Sequence, residues 1–135
     1  MLECLIMGDS IAVGIGMNRP DCAVVAKVGI TSDKWYKQYS HKINDPFKIV
    51  VISLGTNDWK TIYTAEYLYD IRKKVKANAV VWILPSLTLK PTQRAIVQEI
   101  ASEFKDKTMD ISTKIGPDGI HPTGKGYREI ANSLR

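Results

Sequence analysis

Lys48-Ile49-Val50-Val51-Ile52-Ser53-Leu54-Gly55-Thr56-Asn57-Asp58 is a continuous apolar run that breaks into a small polar turn. A strand with one wet face alternates apolar and polar residues; an unbroken run is covered on both faces, as in a parallel sheet. Ala79–Leu84 repeats the pattern. Leu2–Met7, Ala23–Ala26 and the weaker Thr108–Ile111 complete five expected strands. Helical patterns fall between them. A helix capped by Thr64 places Leu68, Ile71 and Val75 on one face and stops near Asn78. Pro91 suits the first turn of the next, with Val97, Ile100, Ala101 and Phe104 inward. The last starts after Thr123, with Tyr127, Ile130, Ala131 and Leu134 inward. A weaker helix covers about Ser32–Tyr39, and Gly14 and Gly16 keep any helix after Ser10 short. Strands alternating with helices define an α/β domain with a parallel sheet, and 135 residues suit one domain, 1–135.

In open α/β sheets, sites form beyond the carboxyl ends of the strands. Ser10, Gly29 and Asn57 each follow an expected strand, and Asp118 and His121 follow the fifth after a short loop. A serine hydroxyl needs a base to become a nucleophile, and imidazole titrates near neutrality. His121 is the candidate base. Asp118, three residues earlier across Gly119, can meet the far ring nitrogen and fix the tautomer. Attack on an ester carbonyl builds an oxyanion that needs fixed donors. The backbone N–H groups of Ser10 and Gly29 and the side-chain amide of Asn57 are the candidates.

Gly8-Asp9-Ser10, Gly29 within Val28-Gly29-Ile30, Gly55-Thr56-Asn57-Asp58 and Asp118-Gly119-Ile120-His121-Pro122 resemble, in order, the four blocks of the SGNH (GDSL) hydrolases. The resemblance implies a three-layer, flavodoxin-like fold, with a five-stranded parallel sheet in the order 2-1-3-4-5 and helices on both faces. It also implies hydrolysis of esters or thioesters without a metal or other cofactor. Ile11 stands where the family often has Leu, and the second block is little more than its glycine. The sequence is not the Gly-x-Ser-x-Gly elbow of α/β-hydrolases, since Ala12 follows two residues after Ser10.

The expected activity is a serine esterase acting through an acyl-Ser10 intermediate on small acyl esters, foremost acetyl groups on a carbohydrate. The chain is short, which suggests an open, shallow site. Trp59 and Trp35 are candidates for stacking on a sugar. Rival readings are a thioesterase or lipase of the same mechanism, and an inactive ligand-binding module of the same fold. A metal cluster of Asp9, Asp58, Asp118 and His121 would leave Ser10 and Asn57 without a part, and no metal site is assigned. Asp9 and Asp58 read as structural carboxylates, His41 as an exposed histidine and Trp82 as core.

The net charge of +5, from 19 basic and 14 acidic residues, is a mild bias. No basic run is interleaved with aromatics, so no nucleic-acid partner is expected. No apolar run approaches the ~20 residues that cross a bilayer, and no membrane partner is expected. A monomer or small homo-oligomer, soluble, cytoplasmic as synthesised and without a signal peptide, is the expected form. Cys4 reads as a small buried hydrophobe, and with no sign of an oxidising compartment Cys4 and Cys22 are expected to stay unpaired.

Overall fold

A computed structural model describes residues 1–135. The elements run β1 (Leu2–Gly8), α1 (Ser10–Met17), β2 (Ala23–Ala26), α2 (Ser32–Tyr39), β3 (Pro46–Ser53), α3 (Thr64–Lys74), β4 (Lys76–Ile83), α4 (Pro91–Glu103), β5 (Lys107–Met109) and α5 (Gly124–Ser133). All strands pair in parallel in the order β2-β1-β3-β4-β5. Sequence pattern and structure therefore agree on the fold.

The central strands are buried on both faces, which explains their unbroken apolar runs. Leu5, Met7, Val50, Ile52 and Trp82 face the layer of α2, α3 and α4, where Trp35, Leu68, Ile71, Val97 and Ile100 meet them. Ile6, Val51, Val81 and Ile83 face α1 and α5, through Ile11, Ile15, Ile130 and Leu134. Each fully buried aliphatic side chain contributes about 1.5–3 kcal/mol relative to exposure. Gly14 lets α1 and α5 approach: a Cβ there would lie 2.3 Å from the ring of Tyr127.

The helix ends differ in detail from the sequence reading. Asn78 does not stop α3; it lies within β4, because the helix ends at Lys74 and Val75 is already extended. Thr64 is the first residue of α3 and does not cap it. Its hydroxyl donates to Asp58 instead.

Cys4 and Cys22 form a disulfide, contrary to the unpaired thiols expected from sequence. The register explains it. Leu5 pairs with Ala23, so Cys4 stands directly beside Cys22, with Cα atoms 4.8 Å apart. No helix is long and apolar enough to cross a membrane.

Candidate active site

The carboxyl ends of β2, β1 and β3 are level: Gly8 pairs with Ala26 on one side and Ser53 on the other. At Gly8 (φ +138°) a Cβ would fall 1.8 Å from the Ser53 carbonyl oxygen, so only glycine fits. The chain then turns sharply. Asp9 N–H donates to Ser53 O at 2.9 Å, and Asp9 caps α1 by accepting the Ile11 N–H at 3.0 Å. Ser53 Oγ donates to the same carboxylate oxygen at 2.9 Å. Asp9 is thus the structural carboxylate its position suggested. Its second oxygen is buried without a partner, and burial pushes the carboxyl up to about 6. The cap makes Ser10 the first residue of α1, where its N–H has no partner within the helix.

The far end of the chain arrives on a braced loop. Ile115 and Pro122 form an antiparallel bridge, Gly116 N–H donates to His121 O at 2.8 Å, and Thr123 N–H donates to Lys114 O at 3.0 Å. Within the loop, Gly119 takes φ +77°, and this turn folds Asp118 back under His121. One Asp118 oxygen accepts the N–H groups of Ile120 and His121, each at 2.8 Å. The other meets His121 Nδ1 at 2.7 Å. The His121 N–H above all, then the Ile120 N–H and the ring, hold the Asp118 carboxyl down at about 2. With Nδ1 donating to a carboxylate, Nε2 is an acceptor. Ser10 Oγ lies 2.8 Å from it. Ser10, His121 and Asp118 therefore form one hydrogen-bonded chain.

Gly29 and Asn57 lie on the neighbouring loops. Asn57 Nδ2 donates one hydrogen to Ile30 O at 3.1 Å, and an amide carries a second. The Gly29 N–H donates to no group of the protein. Gly29 has φ +76°, and a Cβ there would meet nothing within 4 Å. Glycine is thus required by the backbone angle, not by crowding from the protein. Buried Asp58 clamps the two loops together: it accepts Ser32 N–H at 2.8 Å and Thr64 Oγ1–H at 2.8 Å. Gln93 Nε2 adds a bond to Asp58 O at 2.7 Å. Nothing in the local sequence marked Gln93, because its role depends on where α4 packs.

Two hollows flank these residues. A mixed but mainly apolar-surfaced cavity of about 280 Å³ lies on the β4–β5 side, where Ile11, Leu84, Leu87, Ile111 and Ile120 stand together with Thr56 and the Arg94–Asp110 pair. Ile11 follows Ser10 and Ile120 precedes His121, so the chain neighbours of the hydroxyl–imidazole pair form part of its wall. A second hollow of about 480 Å³ lies beyond Asn57, with Trp59, Tyr63, Tyr67, Lys34, Lys37 and Lys60 along it. Trp59 is 77% exposed there. Trp35 is not available for stacking: it is fully buried in the core and its indole N–H donates to Val25 O at 3.0 Å. Its apolar ring fills the space between α2 and the sheet. His41 is exposed, on a short 3₁₀ turn.

No family model and no curated protein matches the sequence. Solved structures match its fold from end to end. A protein assigned to the lipolytic G-D-S-L family from Desulfitobacterium hafniense DCB-2 superposes with a TM-score of 0.71 at 14% identity, covering 99% of this chain and 98% of that one. The chain thus shares the fold of this G-D-S-L protein, the architecture that its four sequence blocks implied. Phospholipase A1 from Streptomyces albidoflavus NA297 superposes as well (TM-score 0.70, 15% identity, 98% and 99% covered). So does the M. smegmatis aryl esterase, in its inhibitor-bound form (TM-score 0.63, 17% identity, 99% and 96% covered). At these identities the likeness concerns architecture, and the chemistry is argued below from the residues.

Proposed function

We propose that this chain is a serine ester hydrolase of the SGNH type. The observation that carries the reading is the hydrogen-bonded chain Ser10 Oγ–His121 Nε2, His121 Nδ1–Asp118, built from the start of α1 and a loop far along the chain. Ser10 Oγ attacks the ester carbonyl while His121 Nε2 takes its proton. Asp118 holds the ring and balances the imidazolium. The oxyanion is received by the N–H groups of Ser10 and Gly29 and the second amide hydrogen of Asn57. The carbon–oxygen bond to the alcohol breaks as His121 returns the proton to it. Water, deprotonated by His121, then attacks acyl-Ser10 and releases the carboxylic acid. Nothing in this cycle calls for a metal or a cofactor.

The acyl group enters the cavity bounded by Ile11 and Ile120, and the alcohol leaves toward Trp59. A mainly apolar cavity of that size favours an aliphatic acyl group longer than the acetyl expected from sequence. A carbohydrate alcohol remains the second reading, favoured by exposed Trp59 beside the lysines. A thioester could be attacked by the same groups.

The test has two parts. A fluorophosphonate probe adds its mass to Ser10 in the wild type and to nothing in Ser10→Ala. A p-nitrophenyl ester series from acetate to octanoate, alongside acetylated mannan, then ranks the acyl groups. An unlabelled wild type, or equal hydrolysis by Ser10→Ala, rejects the mechanism and leaves the ligand-binding module.

A further inference from the structure

Ten large hydrophobic side chains are exposed, and six of them, Val28, Trp59, Ile62, Tyr63, Leu87 and Leu89, lie in the loops at the carboxyl ends of the strands that carry the candidate site. They come from three separate loops, after β2, β3 and β4. In a parallel sheet those loops share one edge. Val28 adjoins Gly29. Trp59 and Tyr63 border the hollow beyond Asn57. Leu87 walls the cavity, and Leu89 packs against the Asp118–His121 loop, where a Cβ on Gly119 would lie 2.8 Å from it. A soluble protein scatters single exposed hydrophobics; a group of them on one edge marks an interaction surface.

The charges around this group identify the occupant. Lys27, Lys34, Lys37 and Lys60 are exposed on the same edge. Among the acids nearby, Asp58 is buried and bonded to Ser32 and Thr64, Asp33 to Thr31, Asp110 to Arg94 and Asp118 to His121. Glu66, on the first turn of α3, is the exposed acid without such a partner. Aliphatic tips such as Ile62, 80% exposed, have nothing to offer a sugar polymer. Aliphatic tips with amphipathic Trp and Tyr, bordered by lysine, fit the headgroup boundary of an anionic bilayer.

We propose that this edge docks on an anionic lipid surface, with Val28, Ile62, Leu87 and Leu89 entering the acyl boundary, Trp59 and Tyr63 at the headgroup level, and the four lysines facing lipid phosphates. Lying on a bilayer needs no spanning helix. The binding itself does not depend on Ser10 chemistry. Its consequence, delivery of an acyl chain past Leu87 into the cavity without crossing water, rests on the esterase reading.

The test uses the full chain, as wild type and Ser10→Ala, with large vesicles of phosphatidylcholine alone or mixed with phosphatidylglycerol. Both proteins should sediment with the mixed vesicles. Trp35 and Trp82 are already fully buried, so a blue shift of tryptophan emission reports Trp59 entering the boundary. Ile62→Ser with Leu87→Ser should lower partition at least about tenfold. Lys34→Gln with Lys60→Gln should lower it about fivefold per lysine on the mixed vesicles only. All four positions are exposed, and circular dichroism checks that the variants fold. The proposal is overturned if neither protein sediments with mixed vesicles, or if both double variants bind as the wild type does. Retention on alginate without vesicle binding, or a dimer in solution that the Ile62/Leu87 variant dissociates, would also overturn it. Vesicle binding by a wild type that fails to label with fluorophosphonate would sink the esterase reading and leave the docking surface standing.

Discussion

Ser10 Oγ and His121 Nε2 lie 2.8 Å apart although 111 residues separate them in the chain. Two backbone devices bring this about: the Gly8–Asp9 turn at the end of β1, and the Gly119 turn that carries His121. Asp118 is the hinge pin of the second, since it holds both the His121 backbone and its ring. Asp118→Asn should therefore lower kcat by roughly 10³–10⁴-fold, because the amide can also present a donor to Nδ1 and disturb the tautomer. Steady-state hydrolysis of a p-nitrophenyl ester measures it. A loss below tenfold would show that the backbone alone orients His121.

The oxyanion donors differ in how they can be removed. Asn57→Ala deletes a side-chain donor and should cost about 100–1,000-fold in kcat, with a smaller change in KM. Gly29→Ala keeps its N–H but forces a side chain onto φ +76°. No clash opposes it, so the stability loss should stay near about 1–2 kcal/mol. Kinetics and urea denaturation on the two variants separate donor loss from backbone strain. Equal kcat for Asn57→Ala and wild type would take Asn57 out of the hole.

Most of the sheet was legible because the central strands advertise their burial: Ile49–Leu54 and Ala79–Leu84 have no wet face to conceal. That Ser10, Asn57, Asp118 and His121 gather at one edge of the sheet was legible for another reason. Each sits in a short block whose neighbours make its own turn, so local sequence carries the information. What was not legible depends on register and packing. The disulfide follows from Cys4 lying opposite Cys22, which only the β1–β2 pairing decides. Trp35 could be placed on a helix but not on a face of it, and the buried face won. Arg72 reads as part of a basic helix end beside Lys73 and Lys74. In the fold it makes a bidentate pair with Asp106, which also accepts from the Trp82 indole N–H. The cavity needs walls from α1, the loop after β4, the loop after β5 and the His121 loop, so no single segment could announce it.

The disulfide closes a loop of 18 residues between β1 and the edge strand β2. Constraining such a loop stabilises by about 3 kcal/mol in the chain-entropy view. Reduction, or Cys4→Ser with Cys22→Ser, should lower stability by about that amount and loosen β2 first, because β2 pairs only with β1. Thermal melts with and without a reductant measure the first effect, and hydrogen exchange of Val24 and Val25 the second. Ser10 lies at the opposite end of β1, so activity at room temperature should persist. An unchanged melting temperature would mean that the cross-link contributes nothing.

Asp9 yields the sharpest pH prediction. Its carboxyl rises from an ordinary 3.8 to about 6 in the fold, because desolvation outweighs the bonds from Ser53 and Ile11. The folded chain thus binds a proton more tightly than the unfolded chain. Between pH 4 and pH 6 the Asp9 contribution must weaken stability as pH rises, reaching about 3 kcal/mol above pH 6. Asp118 and Asp21, held down at about 2, act in the opposite sense and at lower pH, where acid removes their contribution. Asp9→Asn cannot titrate. Its amide oxygen can still accept from Ile11 and Ser53, while its NH₂ group occupies the place of the unpartnered oxygen. Whatever the variant's stability at one pH, the difference between wild type and Asp9→Asn should shift in favour of the wild type on going from pH 7 to pH 4. Urea unfolding at a series of pH values reads this difference directly. Parallel curves across that range would mean that Asp9 is ionised in the fold, and that its second oxygen finds a partner such as water.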